Sequence, residues 1–338
     1  MKRSMLKKIA AVAMAGAMMA SLSVPAMAEG RTSTPTTPGI SIEKKLTKGE
    51  KTHTPDLTYN FTIAPAQGYQ DGTKVVSDGV VNGVDTTASI ATSDEAKKDM
   101  ATTITVGEAF INVHPEVFTH AGIYRYTITE QNVDYDGITI ASPKYMEVYI
   151  VNGKSGLEYA SCVIVNEQGK ETEKVGQFIN DYDTNKLTVT KNVTGNQGDK
   201  SKDFEFTLTL DPAETGEQYE VEVAGKTVTG TPDEKGNINY AFTLKDTQSV
   251  VVYGLSPKDT YTITETSYAA QGYKTTIDGT EVNTKSGTIS GDTNVNVTNE
   301  KEGSPATGIV MDIAPYIIMV AAAGVLAFVF LRRRSYTK

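Results

Sequence analysis

The sequence predicts an all-β protein built from two tandem Ig-like, Greek-key β-sandwich domains, and three observations carry that prediction. From about Gly39 to Asp183, and again from about Asn185 to Glu300, short alternating apolar and polar runs are separated by Gly, Asn, Asp and Pro, the pattern of antiparallel strands and their turns. The composition is rich in Thr, Val, Tyr, Gly and Asn and lacks Trp, which suits pleated, half-buried surfaces joined by tight turns. The two segments also read as copies of one another, and the 338 residues leave room for about two domains.

The ends carry a different code. Lys2, Arg3, Lys7 and Lys8 precede an apolar stretch and the small-residue site Ala26-Met27-Ala28, so residues 1–28 read as a secretory signal peptide. Residues 29–38 contain two prolines and no apolar periodicity, which predicts an extended leader. Ile313 to Leu331 is free of charge and long enough to span a bilayer, and Arg332, Arg333 and Arg334 follow it. Residues 301–338 therefore read as a sorting motif, a transmembrane helix and a basic cytoplasmic tail. The formal net charge is −9, and the two ends hold eight of the 32 basic residues but one of the 41 acidic ones, leaving 24 against 40 in residues 29–307. That balance argues against nucleic acid or an anionic membrane as partner.

Each predicted domain, 39–183 and 184–300, carries the same three strands in the same order. The opening strands are Ile40 to Leu46 and Leu187 to Val193. The runs Tyr124 to Glu130 and Thr260 to Glu265 share Thr-Ile-Thr-Glu, and the closing strands are Gly176 to Asn180 and Val295 to Asn299. Residues two apart on a strand share a face. Lys44 is thus in phase with Ile40, Ile42 and Leu46, and Lys191 with Leu187, Val189 and Val193. Asn180 follows Phe178, Asn299 follows Val295 and Val297, Glu130 follows Tyr126 and Ile128, and Glu265 follows Tyr261 and Ile263. Six polar residues sit at core-facing positions.

Burying such groups is costly unless they are paired. Burial lowers the pKa of a lysine and raises that of a glutamate, so a neutral amine beside a protonated acid becomes accessible. A neutral amine held against an Asn carboxamide can attack it while the acid polarises the carbonyl and relays protons to the leaving nitrogen. Ammonia leaves, and a Lys–Asn isopeptide bond remains. This is a single turnover driven by positioning. Joining the first strand of a domain to its last would route pulling force through the bond, and closing loops of over 100 residues would contribute about 5 kcal/mol each by restricting the unfolded chain. A lone in-phase Lys ordinarily snorkels at a strand end, and a lone Asn or Glu there is ordinarily solvated; the ordered repetition of all three favours the cross-link. Glu147 and Glu205 are rival acids, although Phe204 and Phe206 claim the core face and turn Glu205 outward.

These residues resemble the major (backbone) pilins of Gram-positive sortase-assembled pili, of the T-antigen type with two Lys–Asn isopeptide domains. The likeness is best in Leu187 to Lys191, Ser201 to Leu208, Phe242 to Asp246, Tyr261 to Glu265 and Val297 to Asn299. The run Tyr261 to Tyr273 is similar to the E-box of such pilins. The resemblance implies that Lys44–Asn180 and Lys191–Asn299 form spontaneously, assisted by Glu130 and Glu265. Ser304-Pro305-Ala306-Thr307-Gly308, before the apolar run and the arginines, resembles a cell-wall sorting signal, with Ser304 where the general motif has Leu. It implies that a sortase cleaves after Thr307 and passes the acyl group to an amine. By the same resemblance the acceptor is Lys174 on the next subunit, with Lys170 as rival. The implied partners are the sortase, copies of the chain in a covalent polymer, peptidoglycan, and minor or tip pilins. The implied location is the cell wall, with membrane contact only through the C-terminal segment before sorting.

A wall-anchored adhesin that stays monomeric and binds a ligand through its loops shares every one of these features except the acceptor lysine. Enzymatic turnover is not expected. His53, His114 and His120 are the only histidines, and no metal-binding His pair, Gly-x-Ser-x-Gly, phosphate loop or calcium loop is present, so neither cofactor nor metal is predicted. Cys162 is the only cysteine, which excludes an intrachain disulfide, and its place in an alternating run reads as a small buried hydrophobe.

Overall fold

The computed structural model describes residues 37–165, 176–303 and 316–326. The first eleven strands are β1 (Gly39–Lys48), β2 (Thr58–Pro65), β3 (Tyr69–Asp71), β4 (Lys74–Asp78), β5 (Thr87–Ala91), β6 (Thr103–Asn112), β7 (Gly122–Glu130), β8 (Ile138–Thr139), β9 (Lys144–Asn152), β10 (Leu157–Val165) and β11 (Gln177–Tyr182). They form one sheet in the order β6-β1-β11-β8 and a second in the order β10-β9-β7-β2-β5, with the β3–β4 hairpin joined to β7. The alternation foreseen for β1 holds along its length, because Ile42, Lys44, Leu46 and Lys48 all point inward. The two sheets close on a common core, with Ile42, Leu46, Ile104 and Phe178 from one facing Tyr59, Phe61, Ile128 and Met146 from the other. Phe61 and Phe178 meet edge to face at 5.0 Å, a geometry that suits the ring quadrupoles.

The second group comprises β12 (Asn185–Thr194), β13 (Phe204–Asp211), β14 (Glu220–Val223), β15 (Lys226–Val228), β16 (Thr231–Pro232), β17 (Ile238–Leu244), β18 (Ser249–Leu255), β19 (Thr260–Glu265), β20 (Lys274–Ile277), β21 (Thr284–Thr288) and β22 (Thr293–Glu300). Its sheets run β15-β14-β18-β12-β22-β20 and β16-β17-β13-β19-β21. A separate apolar core of Leu187, Val189, Phe204, Leu208, Ile263 and Val297 lies between them. The chain is thus mostly β, as two sandwiches in tandem.

Within each sandwich the first and last strands are neighbours, paired parallel: β1 with β11 and β12 with β22. Parallel neighbours need a long crossover, and here the whole rest of the domain supplies it. The two sandwiches also touch through polar side chains. Lys51 pairs with Glu222 at 2.6 Å and Lys258 with Asp136 at 2.6 Å, while the Tyr182 hydroxyl lies 2.8 Å from that of Ser256. Ser256 in turn donates to Glu217, and the Tyr219 hydroxyl reaches both Glu217 (3.1 Å) and Asp259 (3.0 Å). Burial in this network, beside Glu217, pushes the Asp259 carboxyl up to about 8.

Among the described residues no helix is long and apolar enough to cross a membrane. Residues 316–326 are helical and fall inside the predicted span. The remainder of that span, the signal peptide, most of the leader, Ser304 to Gly308, and both acceptor candidates Lys170 and Lys174 lie outside the described residues.

Candidate functional site

The parallel pairing fixes the site by register. In the first sandwich Leu46 is opposite Asn180, so Lys44, two residues earlier on the same face, reaches diagonally toward the Asn side chain. The second sandwich repeats the offset, with Val193 opposite Asn299 and Lys191 two residues earlier. The acid comes from the facing sheet each time. Glu130 ends β7 opposite Phe61, and Glu265 ends β19 opposite Phe206. Lys44, Asn180, Lys191 and Asn299 have no exposed surface, and Glu130 and Glu265 have almost none.

In the first site the acid bridges the other two groups. Lys44 Nζ donates to Glu130 Oε2 at 2.9 Å, and Asn180 Nδ2 donates to Glu130 Oε1 at 2.7 Å. Lys44 Nζ also lies 3.3 Å from the Phe178 carbonyl and 5.0 Å from the centre of the Tyr59 ring. Burial pulls the Lys44 amine below the usual lysine range, and the bond to Glu130 opposes that only in part. One carboxyl that contacts both amine and carboxamide can take a proton at one oxygen and give one from the other.

The second site is looser. Lys191 Nζ stands 3.7 Å from Glu265 Oε1, donates at 2.6 Å to the Asn192 carbonyl, and lies 4.4 Å from the Phe204 ring. Both polar atoms of Asn299 and Glu265 Oε1 are buried without a hydrogen-bond partner. The Thr275 hydroxyl donates to Glu265 Oε2 at 3.1 Å. Burial lowers the Lys191 amine to about 8 and raises the Glu265 carboxyl, with the mutual attraction of the pair opposing both. The two ionisations are drawn together, which is what transfer of a proton from amine to acid requires.

Of the rival acids, Glu205 is exposed. Glu147 is fully buried, but on the opposite face of its sheet from Met146 and Val148, under the β3–β4 hairpin. There it accepts from Tyr69 (2.6 Å), Lys74 (2.9 Å) and Tyr149 (3.2 Å), away from Lys44 and Asn180. Cys162 is partly buried against the first core, with Tyr159 Oη 3.3 Å from its sulfur and its thiol pushed up to about 11 by burial. Sequence reasoning passed over Lys48, which is in phase with Lys44 and equally inward. Its Nζ donates only to neutral oxygens, Thr52 O (2.7 Å), Thr54 Oγ1 (2.9 Å) and Asp99 O (2.5 Å). The Asp99 carboxylate acts on it only through its charge, and no carboxamide is among its partners, so it has no Asn to join. No group of acidic, His or Cys side chains able to hold a metal occurs among the described residues.

Comparison with known proteins places this geometry in a class. Residues 40–183 match the Spy0128-like isopeptide containing domain, FctA, and residues 185–301 match a domain of unknown function, DUF7601. A protein of Streptococcus pyogenes serotype M1 described as a pilin is 31% identical over 299 residues, covering 81% of this chain and 85% of that one. The major pilin T-13 of S. pyogenes aligns over 79% of this chain and 98% of its own, with 26% identity and a TM-score of 0.53. Another S. pyogenes major pilin structure, 24% identical, shares the fold over 79% of this chain and 99% of its own with a TM-score of 0.57. The class is that of pilins with an isopeptide-containing domain. Within it, the chain belongs to the major pilins of Gram-positive bacteria, structural subunits of pili.

Proposed function

We propose that this protein is the backbone subunit of a covalently polymerised cell-surface pilus, stiffened by autocatalytic Lys44–Asn180 and Lys191–Asn299 bonds. The reading rests on one observation above all. Twice in the molecule an amine, an acid and a carboxamide are buried together, with Lys and Asn on adjacent parallel strands that begin and end the sandwich. In the first site proton transfer from Lys44 to Glu130 Oε2 frees the amine, its Nζ attacks Asn180 Cγ, and protons relayed through Glu130 reach Nδ2, which departs as ammonia. Each domain loses one ammonia as the Asn primary amide and the Lys amine become one secondary amide. Residues 39–183 and 184–300 are the two cross-linked units, following a signal peptide at 1–28 and an extended leader at 29–38.

The same reading takes Ser304 to Gly308 as the sorting motif. A sortase cleaves after Thr307 and transfers the chain to Lys174, or Lys170, of another copy, and at the base of the fibre to peptidoglycan. Mass spectrometry of the purified chain tests the cross-links, since two bonds remove about 34 Da, twice the mass of the departing ammonia. Detergent-boiled wall extracts test the polymer. A ladder that disappears with Lys174→Ala or Lys170→Ala supports it, and a single band in the unaltered strain means a monomeric anchored adhesin instead.

A further inference from the structure

The two sites differ in what the neighbouring strand offers the reacting groups. In the first sandwich the short strand β8 pairs with β11 only through Thr139 opposite Asp181 and Ile138 opposite Tyr182. The ladder stops just short of Asn180. The chain then leaves the sheet, and the backbone N–H of Ala141 donates not to a carbonyl of β11 but to Asn180 Oδ1, at 2.8 Å. Because a backbone N–H can only donate, the atom facing it must be the carboxamide oxygen, which turns Nδ2 toward Glu130. In the second sandwich β20 pairs with β22 on both sides of the reacting Asn, with Lys274 opposite Glu300, Thr275 opposite Asn299 and Thr276 opposite Thr298. Asn299 Oδ1 has no donor, and Thr275 gives its hydroxyl to the acid.

We infer that the Ala141 backbone N–H is a catalytic oxyanion donor for the first bond, and that the second site lacks one and relies on Thr275 to position its acid. When Lys44 Nζ attacks Asn180 Cγ, the C=O electron pair moves onto Oδ1. The Ala141 N–H lies where that negative charge develops, in a site closed to water, where such a donor stabilises the tetrahedral intermediate strongly. The pair returns as the Cγ–Nδ2 bond breaks and Nδ2 leaves, protonated through Glu130. At the second site the same charge develops on an oxygen with no partner. The first bond therefore forms faster than the second within one chain. This inference rests on the cross-linking reading above and adds how each carboxamide is activated.

The test follows both bonds in the full-length chain made by cell-free translation, quenched in denaturant at intervals, with each cross-linked peptide quantified by mass. In the unaltered chain the Lys44–Asn180 peptide should accumulate at least about tenfold faster than Lys191–Asn299, given the 10²–10³-fold cost of losing one oxyanion donor in enzymes. Replacing Ala141 by its α-hydroxy analogue, lactic acid, removes the N–H and keeps the side chain. It should slow the first bond by at least about tenfold and leave the second unchanged. Thr275→Val should slow only the second bond, and Thr275→Ser should restore it. Equal rates in the unaltered chain, or an undiminished first bond with lactate at 141, overturn the inference. So does a slow Thr275→Val bond that Thr275→Ser fails to rescue, for the part assigned to Thr275. Absence of both bonds from the unaltered chain would sink the cross-linking reading itself, an outcome distinct from these.

Discussion

Replacing Glu130 by Gln separates proton relay from packing in the first domain. Gln fills the same volume, so no cavity opens, and its carbonyl can still accept from Asn180 Nδ2 as Glu130 Oε1 does at 2.7 Å. It cannot take the Lys44 proton, and its NH₂ faces an amine where Oε2 stood 2.9 Å away. Lys44 and Asn180 should then remain unjoined, leaving the chain about 17 Da heavier than the same variant with both bonds made, the mass of one ammonia. The lost constraint on a loop of roughly 140 residues destabilises the domain by about 5 kcal/mol. The free amine, which has no exposed surface and is held below the usual lysine range by burial, adds to that cost. A loss of about 5 kcal/mol is a large share of the stability of a typical domain. For a domain of this size it lowers the midpoint by about 10–20 °C. Calorimetry should show one transition displaced and the other, belonging to the still-linked second domain, nearly fixed. Complete ammonia loss in the Glu130→Gln chain would refute the relay, and an absent bond with an unmoved first transition would refute the energetic reasoning.

Glu147→Gln should destabilise the first domain by about 1–3 kcal/mol, the usual cost of weakening hydrogen bonds to a buried charged group, since its partner Lys74 is partly exposed, without reducing the Lys44–Asn180 bond; peptide mapping and denaturant unfolding check both halves. Formation of the second bond requires one proton shared between Lys191 and Glu265, and the amine is lowered to about 8. Its rate, followed by quenched mass spectrometry, should therefore fall as pH rises above about 8 and the last shared proton leaves. Asp259, raised to about 8 in the junction network, holds its proton more tightly folded than unfolded, so its contribution to stability is full below about pH 4 and is lost as pH rises toward 8. Asp259→Asn should flatten that part of the pH–stability curve measured by urea unfolding.

The buried Lys, Glu and Asn of each sandwich were legible in the sequence because strand geometry converts position into facing. Lys44 two before Leu46, and Asn180 two after Phe178, can be placed inside the sandwich from the alternation alone. Lys48 obeys the same count and is also buried, so phase cannot say which inward lysine meets an acid and a carboxamide; that depends on partners from distant strands. Glu147 misled in the opposite sense. It lies outside the core, and only the β3–β4 hairpin folded across the sheet buries it. The Ala141 N–H has no signature at all, since every non-proline residue carries one, and what distinguishes it is a ladder ending one rung early. The junction carboxyls Glu217 and Asp259 were equally invisible, because their proximity depends on how loops from separate strands meet Tyr182.

The parallel pairing of first and last strands has a mechanical meaning apart from any covalent bond. Since β1 and β11 run the same way, as do β12 and β22, the two leads of each sandwich emerge at opposite poles. Tension along the fibre then slides one terminal strand past the other, so the rungs between them share the load and must yield nearly together. An antiparallel terminal pair would have its leads at one pole and could be peeled open a rung at a time. With or without a covalent bond between those strands, a subunit of this topology resists stretching in its stronger direction.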